Sequence, residues 1–223
     1  MFTQKYKIKH LNIKINCKEF FTLQLNSIQK QKNMDLSTML GLFGDNEVEK
    51  VSNRTGLDKN QTLSALSAAL PTILTALKGN AQSKLGQKQL AGALERDHDG
   101  SLLDNLSGFL DNPQAANGKG ILKHSLGSRR TEVEGMLSRK TGVSSGSMSK
   151  ILEIAAPLVM AYLGKEKRQN NTQSNGIGDM LSNLLGGNDS NNSGGFDIGD
   201  IASMFINNKK GGIAGFLGGL LGR

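Results

Sequence analysis

The sequence predicts an all-α fold: a multi-helical bundle with an internal repeat of two helical units. Three observations predict it. Residues 47–79 (EVEKVSNRTGLDKNQTLSALSAALPTILTALKG) resemble residues 132–164 (EVEGMLSRKTGVSSGSMSKILEIAAPLVMAYLG); Thr55-Gly56 matches Thr141-Gly142 and Pro71 matches Pro157, both 86 positions apart. Apolar residues recur at three- and four-residue steps, as Leu63, Leu66, Leu70, Ile73, Leu74 and Leu77 in the first unit and Met148, Ile151, Leu152, Ala155, Val159, Tyr162 and Leu163 in the second. That spacing lines one face of an α-helix. No run in the body sustains the alternation of a half-buried strand. A repeat of this kind speaks to architecture, two like units that bury their apolar faces together.

Each element has a local signal. Glu47-Val48-Glu49 matches Glu132-Val133-Glu134 at 85 positions, so one residue is inserted between the anchors. Asn46-x-x-Glu49 and Thr131-x-x-Glu134 read as capping boxes that open the two short helices. Gly56 and Gly142 then supply the left-handed conformation that ends them. Asp58 and Ser145 are the candidate caps of the long helices that follow. Pro71 and Pro157 fall inside those helices and predict a kink or a break in each. Between the repeats, apolar spacing predicts helices over 83–96, 101–111 and 119–126, with Asn112-Pro113 and Gly118-x-Gly120 as punctuation.

Composition bounds the rest. The 223-residue chain is 4% aromatic and has no Trp, so its core is built from Leu, Ile, Ala and Met. The net charge of +8 suggests an anionic partner, yet residues 1–33 hold seven lysines and one acid, a net of +6, which leaves +2 for the remainder. Those residues also lack glycine and contain the lone cysteine, Cys17. Met34 opens a stretch, MDLSTMLGLFGD, that reads as a natural start. Residues 1–33 are therefore expected to be a non-native or disordered extension. Residues 34–167 form the expected helical domain, and 168–223 a flexible Gly/Asn-rich low-complexity tail. Within it, 168–175 read as a polar linker, and apolar islands occur at 180–185, 198–206 and 213–221. The N-terminal region has no apolar segment of the secretory kind, and no stretch reaches the ~18 apolar residues of a spanning helix. A single cysteine excludes an internal disulfide framework. The expectation is a cytoplasmic protein.

The densest polar cluster is Asp97-His98-Asp99-Gly100-Ser101-x-x-Asp104. A helix-loop-helix calcium site needs glycine sixth and an acid twelfth. Here glycine is fourth and Gly108 is twelfth, so the reading is a tight turn, with Ser101-x-x-Asp104 capping the next helix. His98 and His124 lack a recurring ligand spacing. His124, among Ile121, Leu122 and Leu126, reads as a partly buried structural residue. There is no Gly-x-Ser-x-Gly, phosphate-binding loop or dinucleotide fingerprint. The sequence therefore assigns no catalytic, cofactor-binding or metal residues and no cofactor, and the chain is not expected to be an enzyme.

An interaction or scaffold role comes first, with an unknown protein partner or self-association. Nucleic acid is the runner-up. VSNRTGLDKNQTLSALSAAL has a helix–turn–helix register and is similar to the opening of HU-type histone-like proteins. Against it, residues 61–77 contain no Lys or Arg, and their counterpart offers only Lys150. Arg129-Arg130 with Lys123, and Arg139-Lys140, are modest positive patches. Weak membrane-surface contact through 211–223 is third, from the spacing Gly211-x-x-x-Gly215-x-x-x-Gly219. The tail islands, and Met39-Leu40-Gly41-Leu42-Phe43-Gly44, are expected to mediate self-association.

Three stretches carry a family resemblance: Asp97 to Ser101, Gly120-Ile-Leu-Lys-His-Ser-Leu-Gly-Ser-Arg-Arg130, and Ala156-Pro-Leu-Val-Met160. Together the chain resembles the bacterial domain-of-unknown-function 937 family over about residues 34–165, and more distantly YidB-like proteins. The resemblance implies an all-helical bacterial protein of the cytoplasm. It carries no established activity, and so no functional residues.

Overall fold

Two long apolar helices organise the body. In the structure, a computed structural model that describes residues 36–185, these are α3 (Lys59–Asn80) and α8 (Ser145–Gln169). They are preceded by α1 (Leu36–Leu40) and α2 (Asp45–Thr55). Between them lie α4 (Lys84–Arg96), α5 (Leu106–Asp111), α6 (Gly118–Leu126) and α7 (Arg130–Thr141), and α9 (Ile177–Leu184) follows. Short 3₁₀ turns join several of them, and no strand occurs among the described residues.

The apolar stripes meet where the periodicity places them. Leu66, Leu70, Ile73 and Leu74 of α3, and Met148, Ile151, Leu152, Val159 and Leu163 of α8, are fully buried as the two helices pack together. Each such side chain contributes roughly 1.5–3 kcal/mol, which offsets chain entropy without aromatic bulk. Helices α2, α6 and α7 each rest on both α3 and α8. Ser52 and Thr62 hydroxyls meet at 2.8 Å between α2 and α3. Thr62 thus faces inward, and the helical rotation turns its neighbour Leu63 out to 41% exposure, against its expected place on the apolar face. Leu85, in the first turn of α4, is likewise 46% exposed.

Helix ends agree with the sequence in part. Gly56 (φ 74°) and Gly142 (φ 71°) both take the left-handed conformation. Asp58 forms a reciprocal box with Gln61: its carboxylate accepts from the Gln61 N–H at 2.8 Å, and the Gln61 side chain accepts from the Asp58 N–H at 3.2 Å. In the second unit Ser144, not Ser145, is the cap, accepting from the Ser147 N–H at 3.1 Å. The boxes at Asn46 and Thr131 do not form. Both residues already lie inside their helices, whose cap positions are Gly44 and Arg129, without side-chain cap bonds. The region 101–111 divides into a 3₁₀ turn (Ser101–Asn105) and α5, because the Asn105 side chain accepts from the Gly108 N–H at 3.1 Å and starts a new helix.

Neither proline breaks its helix. α3 runs through Pro71 and α8 through Pro157, both prolines buried among apolar neighbours. A proline leaves the carbonyl four residues back without its N–H partner. For Pro157 that carbonyl belongs to Glu153, and Gly118 at the start of α6 lies directly against it. A Cβ on Gly118 would stand 1.9 Å from the Glu153 oxygen. The α6–α8 contact therefore uses a stretch of α8 backbone that the proline has opened.

The packed body continues past residue 167. α8 extends through Gln169 into the expected linker, and the first tail island folds as α9 on the body, with Ile177, Met180, Leu181 and Leu184 buried. Met39 and Phe43 of the N-terminal island are also buried, with α1 lying against α3, so this island is used within the chain. The expectations for residues 1–33, Met34, the islands 198–206 and 213–221 and the glycine spacing of 211–222 lie outside the described residues.

Candidate functional site

The loop after α4 is the most chemically varied segment. Gly100 (φ 95°) turns the chain, and the Asp99 carboxylate accepts from the Ser101 N–H at 3.0 Å. The tight turn is as expected, but Ser101 forms no cap bond on the 3₁₀ turn it opens. The Ser101 hydroxyl and N–H, and more weakly Arg168 at 3.4 Å, hold the Asp99 carboxyl below its ordinary range. Burial holds the His98 imidazole below its ordinary value despite nearby Asp97, so the ring is neutral at physiological pH. Loop and helix are in unusually close contact. A Cβ on Gly164 of α8 would fall 1.7 Å from the His98 carbonyl oxygen, and one on Gly100 would fall 2.8 Å from the Lys165 Cβ. Lys167 pairs with Glu95 at 2.5 Å across the same seam.

This loop and residues 115–121 enclose a cleft of about 290 Å³, lined by Asp97, His98, Asp99, Ser101, Asn117 and Ile121 among others. His124 does not line it. It is exposed on the outer side of α6, where a partly buried residue was expected, while Ile121, Leu122 and Leu126 fill the inner side. Among the described residues no three His, Cys, Asp or Glu side chains gather as a metal site.

A second feature is the seat of α9. Ile177, Met180, Leu181 and Leu184 stand at successive three- and four-residue steps and are buried where α9 meets α3 and α4. Asp179 and Asn183 face solvent. Gly178 passes close to the Gln87 side chain of α4: a Cβ there would lie 3.5 Å from Nε2. This is the helix-in-groove arrangement, read as anchors at i, i+3, i+4 and i+7.

The model for a family described as bacterial protein of unknown function (DUF937) matches residues 37–166. The chain belongs to this family. No curated protein and no solved structure matches it. The DUF937 stretch covers α1 through most of α8 and stops short of α9, whose supporting helices α3 and α4 lie inside it. The residues that carried the resemblance have structural work: Asp97 to Ser101 form the turn pressed on α8, and Ala156 to Met160 lie buried in its centre. The stretch Gly120 to Arg130 ends in an ion-pair network. Arg130 donates from Nε to Glu134 and from Nη2 to Glu153, each at 2.7 Å, and from Nη2 to Ser149 at 2.9 Å. Burial works against its charge, but the two carboxylates outweigh it and hold the guanidinium above its usual range.

Behind that network lies a smaller cleft of about 130 Å³ in the DUF937 body, lined by Arg54, Gln114, Lys119, Lys150 and Glu153 among others. Arg54 donates to the Asp111 carbonyl, and Lys150 to the Arg54 carbonyl at 3.5 Å. Among the described residues no carboxylate pairs with Arg54, Lys119 or Lys150, while Glu153 is engaged by Arg130. Sequence reasoning missed this cluster because its cations come from α2, α6 and α8; Arg130, which it singled out, is turned inward. No helix of the described residues is long and apolar enough to cross a membrane.

Proposed function

We propose that this DUF937 protein is a non-catalytic interaction module of the bacterial cytoplasm that holds short amphipathic helices. The seat of α9 carries this reading: four apolar anchors on one face of an eight-residue helix are buried by α3 and α4, and the polar face is left to solvent. Short helices of this length do not hold themselves together in water and take their stability from the surface they lie on. A labelled peptide of residues 177–185, titrated against the full chain carrying Leu181→Asp together with Phe205→Asp, which disables the similar apolar island 198–206, tests it. Saturable anisotropy in roughly the micromolar range is expected, and none for the same peptide with Leu181 and Leu184 both replaced by Asp. Failure of the unmodified peptide to bind removes the reading.

A second reading, association with nucleic acid, is favoured by the three cations without carboxylate partners in the smaller cleft. Three phosphate contacts give a log–log salt slope near −2.7, so duplex DNA should lose about 40-fold in affinity between 50 and 200 mM salt. Lys119→Glu with Lys150→Glu should abolish the gel shift. A salt-insensitive shift, or one that survives both substitutions, rejects this surface.

A further inference from the structure

The segment seated as α9 is repeated in the chain. Residues 177–185 read Ile-Gly-Asp-Met-Leu-Ser-Asn-Leu-Leu, and residues 198–206 read Ile-Gly-Asp-Ile-Ala-Ser-Met-Phe-Ile. The four buried anchors Ile177, Met180, Leu181 and Leu184 correspond to Ile198, Ile201, Ala202 and Phe205, apolar at every position. Gly178, which faces the Gln87 side chain, corresponds to Gly199. Asp179, favourable in the first turn of a helix, corresponds to Asp200. Residues 213–221 keep the apolar spacing but lose the Asp and place glycines at 215, 218 and 219, each costing a helix about 1 kcal/mol relative to alanine.

We infer that residues 198–205 are a second occupant of the α9 seat on α3 and α4, exchanging with residues 177–184 of the same chain. The inference rests on the helix-holding role proposed above and names its ligand. The tether decides which segment prevails. Ile177 follows the end of α8 at Gln169 by eight residues, and Ile198 follows it by twenty-nine. Effective concentration falls roughly as the −3/2 power of tether length, so the second segment has about a sevenfold disadvantage. It is a reserve occupant that takes the seat when α9 is drawn away, leaving α9 to engage a partner while the seat stays covered.

Full-length Leu181→Asp, Phe205→Asp and the double variant test this by thermal unfolding. Phe205→Asp should leave Tm unchanged, because the seat is already filled. Leu181→Asp should lower Tm by about 2 °C, because residues 198–205 replace the lost segment, and the double variant should fall by about 8 °C. Equal Tm values for Leu181→Asp and the double variant overturn the inference, as does failure of Leu181→Asp to fold. A doubled mass of Leu181→Asp in light scattering overturns it by assigning the seat to a second copy. Peptide 177–185 added to the double variant separates the two claims: binding there alongside equal Tm values leaves the helix-holding role standing and removes only the second occupant.

Discussion

Replacing Gly164 by alanine should destabilise the protein by about 3 kcal/mol, although alanine is the better helix former by about 1 kcal/mol. The two effects oppose each other, and geometry decides between them. The new Cβ would stand 1.7 Å from the His98 carbonyl oxygen and 2.8 Å from its carbon. Both are backbone atoms, so no side-chain rotation relieves the overlap. The loop would have to retreat, and it is pinned on either side by the Gly100–Lys165 contact and the Lys167–Glu95 pair. Gly92→Ala in α4 is the matched control. Nothing lies within 4 Å of its added Cβ, so propensity acts alone and the variant should gain about 0.5–1 kcal/mol. Urea unfolding should therefore move the two alanine variants in opposite directions. A Gly164→Ala protein as stable as Gly92→Ala would show that the loop is not held on α8.

Helix type and placement were legible because periodicity reports burial directly. The stripes of α3 and α8 needed only the three- and four-residue spacing, and the left-handed ends needed only Gly56 and Gly142. Start points were less legible. A capping box is a four-residue pattern that a helix beginning one or two residues earlier absorbs, as at Asn46 and Thr131. Of the two outcomes expected at the prolines, a kink or a break, the break does not occur. Their local cost is real, but tertiary packing of buried Pro71 and Pro157 outweighs it, and for Pro157 the opened carbonyl becomes a contact with Gly118. No local window contains both halves of that contact.

The surfaces divide the same way. The turn at Asp99-Gly100 was visible as a turn, while its close approach to Gly164 was not, since 64 positions separate the two glycines. The α9 segment was visible as an apolar island, and its anchors follow the same periodicity that marks the core. Its low-complexity surroundings hid its place on the body, because composition averages over the four residues that bury themselves. The smaller cleft was invisible, since Arg54, Lys119 and Lys150 share neither a helix nor a sequence neighbourhood.

Glu166→Gln should stabilise the protein at pH 7 by about 1–2 kcal/mol and have almost no effect at pH 4. Glu166 is only 4% exposed on α8; one carboxylate oxygen accepts from the Asn170 side chain at 3.2 Å, and the other is buried without a partner. Burial raises its pKa above the ordinary value of 4.5, and the Asn170 bond and the Lys165 charge oppose that only in part. The native state therefore holds this proton to a higher pH than the unfolded chain does. Below the unfolded pKa both states are protonated and the contribution is fully present. As pH rises through the unfolded value toward the folded one, the unfolded chain ionises first and native stability is lost. Glutamine keeps the acceptor for Asn170 and removes the ionisation, so the variant escapes the loss. The Asp99 carboxyl titrates in the opposite sense, and the difference between wild type and variant cancels its contribution. Urea unfolding of both proteins at pH 4 and pH 7 measures that difference. A gap that stays constant or narrows as pH rises would mean that Glu166 finds a partner for its charge in the folded state.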